Sequence, residues 1–421
     1  MEQKHTLRSG LSLLFFLLLV TYSYGQQTQT DSYTRYELLS PESQKFRIIY
    51  DVSATTTGAT YYWNTLRKGS EHEIDQVIDL YSGIDLNWSI VSGTEAKKNG
   101  HVRAQDDGEY LQVQLARPVP EGGETRLRID KTYEDPKSYF SEGETIIFDR
   151  TLGITRNAIV LPEGYEISAC NYPSQVEREE DGRIKVSFMH EGLSAIPSRV
   201  EAKPVELADL RKEEHPWPDY QPYPQGRDKR KARLNYDLRE RAFQDREIVY
   251  FLKQPETHSF FLYHDYTEKR PGVDRYLNIV RTGSKASDPS AMILDTGEKL
   301  KVETLKGQEI TEKGIELSEV SNDTEVIVIW FDPVEKGKST RLRISETYTD
   351  PNRYLLYQDE LVWDRSFGRN RNAVVLPAGW SLTTSSIPAK ISTNESGQTR
   401  LDFLNDRPDN IDVLIRARRK K

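Results

Sequence analysis

Six charged positions recur, with matching residues, in two copies of one stretch of the sequence, 125–164 and 340–379. Arginine presents a planar fork of N–H donors that fits a carboxylate or another anion in a bidentate manner. The set therefore supports two hypotheses, an Arg–Asp network that fixes a loop over a sheet or a site that binds an anion. Its members are Arg126, Arg128, Asp135, Asp149, Arg150 and Arg156, and in the second copy Arg341, Arg343, Asp350, Asp364, Arg365 and Arg371. Recurrence is expected of either hypothesis, and we favour the structural one.

The pattern around these residues predicts the elements that position them. Arg126 and Arg128 alternate with apolar residues, which predicts a strand with both arginines on one face. Asp135 and Pro136 then end the strand, because proline has no N–H donor and aspartate bonds forward to the backbone in a turn. Gly153 permits a tight turn between the two later charged pairs.

The duplication extends over most of the chain, as two units of about 170 residues with one single-residue length difference between Gly93 and Pro118. Each unit contains short segments that alternate polar and apolar residues and are separated by turn residues. This pattern predicts an all-β fold of tandem duplicated antiparallel β-sandwich units. Whether a unit is one large sandwich or two small ones divided near Pro118 is left open by the sequence.

The sequence divides into four segments. Residues 1–25 are typical of a secretory signal peptide, with a basic start, an apolar core at 11–20 and small residues before the expected cleavage. That core is too short to cross a bilayer. Residues 26–202 form the first β-sandwich repeat, 203–245 a Pro-rich and basic linker, and 246–421 the second repeat. The linker is expected to be an ordered or solvated connection, or alternatively a polyproline II peptide that binds a partner.

Composition bounds the function. A formal net charge of −8 argues against nucleic-acid binding, and no later stretch is apolar enough to span a membrane. The single cysteine, Cys170, permits no internal disulfide, which fits a bacterial periplasm or cell surface. The seven histidines form no metal-binding motif, and no nucleophile elbow or phosphate loop is present. We therefore expect no cofactor, no metal and no catalytic residue that a motif identifies.

Four aromatic residues near the start of the first copy suggest a surface for stacking sugars. They are Tyr61, Tyr62, Trp63 and Trp88. Only part of this set recurs, since Tyr276 matches Tyr62. Core packing is the competing interpretation, and we favour it.

Two resemblances follow from the motifs. The pattern Thr-Arg-Leu-Arg-Ile, Thr-Tyr-x-Asp-Pro, Asp-Arg-x-x-Gly and Arg-Asn-Ala-x-Val-Leu-Pro-x-Gly resembles exported bacterial proteins built from duplicated β-domains, which have no assigned activity. The segment 111–129, two strands around Pro-Val-Pro-Glu-Gly-Gly, resembles the N-terminal β-domain of M1-type metallopeptidases. The second resemblance implies an all-β fold without the peptidase, because the chain contains no zinc-binding helix motif.

Together these observations favour an exported, non-enzymatic binding or assembly module of a bacterial cell envelope, in the periplasm or at the cell surface. Its partner would be an envelope protein or a glycan. The alternative is a secreted, glycosidase-like hydrolase that uses an unrecognised pair of carboxylates, since acidic residues are numerous.

Overall fold

The computed structural model describes residues 27–191, 195–206, 240–317, 319–407 and 409–421. The expected signal peptide and most of the expected linker, residues 207–239, lie outside these ranges. The described part of the chain is almost entirely β-structure. The fold class expected from the sequence is therefore confirmed.

The described residues before the linker form fourteen strands. They are β1 (Gln27–Leu38), β2 (Lys45–Ala54), β3 (Tyr61–Leu66), β4 (Glu71–Asp79), β5 (Trp88–Ser92), β6 (Glu109–Gln114), β7 (Thr125–Glu134), β8 (Tyr139–Glu142), β9 (Thr145–Leu152), β10 (Arg156–Val160), β11 (Tyr165–Cys170), β12 (Gln175–Arg178), β13 (Ile184–Met189) and β14 (Ile196–Pro204). A short 3₁₀ helix, Pro41–Ser43, connects the first two strands, and a short α-helix, Gly93–Lys98, follows the fifth.

In the part of the chain that the structure describes after the linker, fourteen strands follow in the same order. They are β15 (Glu247–Leu252), β16 (Ser259–Glu268), β17 (Arg275–Ile279), β18 (Lys285–Ile293), β19 (Lys301–Lys306), β20 (Glu325–Trp330), β21 (Thr340–Thr349), β22 (Tyr354–Tyr357), β23 (Glu360–Phe367), β24 (Arg371–Val375), β25 (Trp380–Ser385), β26 (Lys390–Thr393), β27 (Thr399–Leu404) and β28 (Ile411–Arg419). A 3₁₀ helix (Pro255–Thr257) and an α-helix (Gln308–Glu312) occupy the equivalent connections.

Each repeat contains one seven-stranded, one four-stranded and one three-stranded sheet. The seven-stranded sheets have the orders β12-β13-β10-β1-β2-β7-β4 and β26-β27-β24-β15-β16-β21-β18. Their strand pairs are antiparallel except for one pair in each sheet, β1 with β10 and β15 with β24. The large sheets are therefore mixed, whereas the sequence predicted antiparallel sheets throughout, because the local pattern does not reveal which distant strand lies beside β1.

One continuous apolar core fills each repeat. In the first, the core brings together Ile129 of the seven-stranded sheet, Leu111 of the three-stranded sheet and Phe148 of the four-stranded sheet. The second repeat has the same arrangement. Each repeat is thus one large sandwich, with the seven-stranded sheet on one side and the two smaller sheets on the other.

The strands follow the period-two alternation of their sequences. Along β2 the residues alternate between buried and partly exposed, as expected when one sheet face meets the core. All five residues of β10 are buried, because this strand lies inside its sheet and both of its faces are covered. The strands β8 and β12 have only four residues each, which is too short for a clear alternation.

Candidate functional site

Arg126 joins the two repeats. Its guanidinium donates to both carboxylate oxygens of Asp295, at 2.9 and 2.8 Å, and to the backbone oxygen of Ser339 at 3.1 Å. Asp295 is fully buried and Arg126 is 5% exposed. This recurrent arginine therefore belongs to a buried contact between the repeats and not to an open anion site.

The equivalent arginine of the second repeat makes the reverse connection. Arg341, which is 1% exposed, lies with its Nε 2.6 Å from Oε1 of Glu124 in the first repeat. Its Nη1 also donates to Thr267 and lies 3.3 Å from a carboxylate oxygen of Asp245. The two arginines thus cross the junction in opposite directions.

The backbones of the two repeats also interlock at this junction. The amide of Glu124 donates to the carbonyl of Leu294, and the hydroxyl of Ser339 donates to the carbonyl of Leu80. Gly123 makes the first contact possible, because a Cβ there would lie 2.3 Å from the Leu294 oxygen. A small cavity of about 40 Å³ between Arg126 and Arg341 has room for one or a few waters.

Arg128 and Arg343 form ion pairs with aspartates of their own sheets. Arg128 donates to both oxygens of Asp51 on the neighbouring strand, at 2.6 and 2.8 Å, and Arg343 does the same with Asp265. Both arginines are about one-third exposed. They lie on the sheet face opposite the core, as the sequence predicted from the alternation.

Asp135 with Arg150, and in the second repeat Asp350 with Arg365, fix the turns that follow β7 and β21. Asp135 accepts from Ser138 at 2.8 Å and from Nη1 of Arg150 at 3.1 Å. In the second repeat, Nη1 of Arg365 lies 3.5 Å from Asp350. The carboxylates are buried, so these pairs hold the connection between the seven-stranded and four-stranded sheets.

Arg156 and Arg371 hold the end of the linker. Arg156 donates to the backbone oxygens of Ala242 and Phe243, and Arg371 donates to that of Asp245. The described residues at the end of the linker, 240–245, are thus bound by recurrent arginines from both repeats.

Asp149 and Asp364 do not join these contacts. Asp149 is exposed and pairs with Arg199 at 3.0 Å, and Asp364 is exposed with Arg353 at 3.8 Å. Of the twelve recurrent residues, Arg126, Arg156 and Arg341 line the same small cavity at the junction. The pairs at the turns and the exposed aspartates lie elsewhere, so the structure does not bring all twelve together into one network.

The four aromatic residues are also separated. Tyr62 is 2% exposed and lies within hydrogen-bond distance of Tyr50. Trp63 stacks on His101 with ring centroids 5.3 Å apart, close to Tyr61. The alternation of the pairs puts Trp88 on the sheet face of Tyr62, opposite to that of Trp63. A single stacking platform made of all four is therefore not present.

The second repeat contains a polar cleft of about 250 Å³ between its sheets. Glu346, only 3% exposed, accepts a hydrogen bond from Asn278 through Oε1 at 2.8 Å. Its Oε2 and the Nε2 of His264, also buried, have no hydrogen-bond partner among the described residues. Burial raises the pKa of Glu346 to about 7 and lowers the pKa of His264 to about 3.

Basic and aromatic groups complete this cleft. Nδ1 of His264 lies 3.5 Å from the hydroxyl of Tyr276. Three arginines line it, of which Arg365 is held over the aromatic rings of the core and Arg281 is exposed at the surface. The charged and polar lining residues are His264, Tyr276, Asn278, Arg281, Glu346, Tyr348, Arg365 and Arg369.

The cleft was not recognised in the sequence, although one signal was present. Glu346 lies on the same face of β21 as Leu342, Ile344 and Tyr348, which are core residues. A carboxyl group at an inward position of an otherwise apolar strand is unusual, because burial of an unpaired charge is costly. The equivalent position of the first repeat also holds a buried charged residue, Lys131.

The described ranges contain no group of three or more His, Cys, Asp or Glu side chains arranged to hold a metal ion. None of the helices in those ranges combines the length and apolar character that crossing a bilayer requires.

Comparison with known proteins gives weak structural similarity alone. No family model and no curated protein matches the sequence. The M1 zinc metallopeptidase from Deinococcus radiodurans matches with 11% identity and a TM-score of 0.29, over 44% of each chain. Native yeast LTA4 hydrolase matches with 12% identity and a TM-score of 0.28, over 45% of this chain and 32% of the hydrolase.

Collagen adhesin from S. aureus matches over 81% of this chain and 86% of the adhesin, with 10% identity and a TM-score of 0.17. The chain spans less than half the length of the metallopeptidase and hydrolase compared above. The structural resemblance to M1 metallopeptidases is weak.

Proposed function

We propose that the chain is an exported, non-enzymatic binding or assembly module of a bacterial cell envelope, related to the exported proteins built from duplicated β-domains. The observation that carries the proposal is the junction between the repeats. Arg126 and Arg341, two of the recurrent arginines considered for anion binding, are instead buried against Asp295 and Glu124 of the opposite repeat. Buried ion pairs between the repeats favour a rigid molecule, whose surfaces keep a fixed orientation toward a partner.

The linker contacts support the same proposal. The segment 240–245 is bound on one side by Arg156 and on the other by Arg371. In addition, Arg241 donates to the backbone oxygens of Asn405 and Gly368. Two repeats held at a junction and by a bound connection keep a fixed relative orientation, which an assembly module uses to position its partners.

The test has two stages. The full chain is expressed in a bacterium, and the N-terminus of the mature protein is read by mass spectrometry in cytoplasmic and periplasmic fractions. Export predicts a mature chain that begins near Gln26 outside the cytoplasm. A full-length chain confined to the cytoplasm would contradict the proposal.

Chemical cross-linking in intact cells then identifies neighbours in the envelope. We expect a defined cross-linked partner that is lost when Asp295→Ala weakens the junction and kept with Asp51→Ala, which removes an ion pair inside one sheet. The rival hydrolase is tested with generic glycosidase, esterase and peptidase substrates. If the chain turns over one of these substrates and one Asp or Glu substitution abolishes that turnover, the chain is an enzyme and the binding-module proposal is wrong.

A further inference from the structure

The cleft of the second repeat carries an inference that goes beyond the proposed function, since it does not depend on export or on an envelope partner. We propose that this cleft is a binding site for a small organic anion, with its acidic group against Glu346, His264 and the arginines and its apolar part against the tyrosines. The proposal rests on three observations, which concern the free polar atoms, the charges and the size.

The first observation is that two buried polar atoms lack partners. Glu346 Oε2 and His264 Nε2 line the cleft, and neither makes a hydrogen bond with a described residue. A buried polar atom without a hydrogen-bond partner destabilises the folded protein, and a ligand that supplies the partner removes that cost. A ligand with two acceptor oxygens, as in a carboxylate, would satisfy both atoms if both act as donors.

The protonation states make donors of both groups. Tyr276 is a natural donor to Nδ1 of His264, which leaves the proton of the neutral ring on Nε2. The raised pKa of Glu346 keeps much of this carboxyl group protonated near neutral pH, and a protonated carboxyl group donates. The arginines that line the cleft can only donate hydrogen bonds.

The second observation is the balance of charge. Among the described residues that line the cleft, Glu346 has the one carboxyl group, against three arginines. Arg365 pairs with Asp350 outside the cleft, at 3.5 Å, so Arg281 and Arg369 provide the remaining positive charge. An anion is therefore favoured over a cation.

The third observation concerns the size of the cleft and the apolar surface that lines it. At about 250 Å³ the cleft is slightly smaller than the sites that bind drug-sized ligands, which start at roughly 300 Å³. It fits a molecule the size of one substituted ring. Tyr250, Tyr348 and Ile248 supply apolar surface for that ring.

The groups that face Glu346 come from every element packed around it and determine how binding depends on pH. They are Tyr250 on β15, His264 on β16, Tyr276 and Asn278 on β17, Arg281 after it, Tyr348 on β21, Arg365 on β23 and Arg369 before β24. Of these, His264 stays neutral down to a pH near its pKa of about 3, and Glu346 changes charge near 7. Anion binding should therefore weaken as the pH rises through 7.

The experiment uses three probes of one shape on the mature chain, residues 26–421. Benzoate is the anion, benzamide the neutral analogue and benzylamine the cation, and binding is measured by calorimetry and ligand-observed NMR. We expect benzoate to bind at least about tenfold more tightly than the other two, a difference of about 1.4 kcal/mol. No benzoate binding, or a preference for benzylamine, would overturn the assignment.

Matched variants locate the site. Arg281→Ala removes an exposed charge at the cleft and should weaken benzoate binding several-fold. Arg67→Ala removes the equivalent arginine from the first repeat, with the same change in net charge, and should leave binding unchanged. Equal effects of the two variants would show non-specific attraction and would overturn the site.

Glu346→Gln keeps an N–H donor, so benzoate should still bind and its pH dependence should disappear. A persistent pH dependence would contradict the role of Glu346.

Discussion

Lys131 and Glu346 occupy equivalent positions in the two repeats, on β7 and β21, although one side chain is basic and the other acidic. Lys131 donates to the side-chain oxygen of Asn64 at 2.6 Å, and Glu346 accepts from the side-chain nitrogen of Asn278 at 2.8 Å. Because an amide side chain has both a donor and an acceptor, the equivalent asparagine can serve either partner. The duplicated core thus accommodates either a basic or an acidic side chain at one buried position.

The first prediction concerns Lys131. Burial, aided by Arg150, lowers the pKa of Lys131 from 10.5 to about 7. The unfolded chain then binds more protons between pH about 7 and 10.5, so this residue makes the folded state more stable as the pH rises through that window. Lys131→Met should remove this slope and stabilise the protein at neutral pH by about 1–4 kcal/mol, measured by urea unfolding. A less stable variant would contradict the desolvation argument.

Glu346 should give the opposite slope in a different pH window. Its pKa rises from 4.5 to about 7 on folding, so the folded state binds more protons in that range. Stability therefore falls as the pH rises from about 4.5 to 7. Glu346→Gln should flatten this part of the stability profile and leave the slope due to Lys131 in place. An unchanged profile between pH about 4.5 and 7 would show that Glu346 is not the responsible group.

A third prediction compares two bidentate ion pairs that differ in burial. Asp295→Ala leaves Arg126 buried and without its carboxylate, which should cost about 3–5 kcal/mol. Asp51→Ala breaks a pair of the same geometry whose Arg128 is one-third exposed, and should cost about 1 kcal/mol or less. Equal losses of unfolding free energy in denaturant would contradict the importance of burial.

The fourth prediction concerns the backbone contact at Gly123. A methyl group there would lie 2.3 Å from the carbonyl oxygen of Leu294, so Gly123→Ala should push the repeats apart at this point. We expect a lower melting temperature and faster hydrogen exchange at the Glu124 amide. Gly153→Ala is the control, because nothing lies within 4 Å of the added atom. Faster exchange in both variants would indicate a general effect of the substitution.

A fifth prediction separates two aspartates of the recurrent set. Asp149 is exposed, so Asp149→Ala should change the unfolding free energy by about 0.5 kcal/mol or less. Asp135 is 3% exposed and binds Ser138 and Arg150, so Asp135→Ala should cost about 1–3 kcal/mol. Thermal unfolding of both variants gives the comparison, and a larger loss for Asp149 would contradict it.

The alternation of residues made part of this structure predictable. It placed Arg126 and Arg128 on one strand face, and turn residues marked the ends of most strands of the first repeat. The partners of Arg126 and Arg341 were not predictable, because they lie in the opposite repeat and are not duplicates of each other. Asp295 aligns with Tyr81, and Glu124 aligns with Ser339. A contact between copies joins different surfaces, so the duplication itself does not reveal it.

The cleft illustrates the same limit. Glu346 has the parity of a core residue, which local alternation shows, but its neighbours come from distant strands. Arg281 and Arg369 are separated along the chain by much of the repeat and approach one another through the packing of the sheets. Such proximity depends on topology, which short-range patterns do not contain.

The parallel pairing of β1 with β10 has a consequence for folding kinetics. Tyr33 lies beside Arg156, so the centre of the first large sheet joins residues more than a hundred positions apart, and β15 with β24 repeats this in the second repeat. Contacts of such long sequence separation are formed late, because the chain must first lose the entropy of a long loop. Each repeat should therefore fold slowly, and the unpaired edge of β1 should stay open to other strands until its own partner arrives.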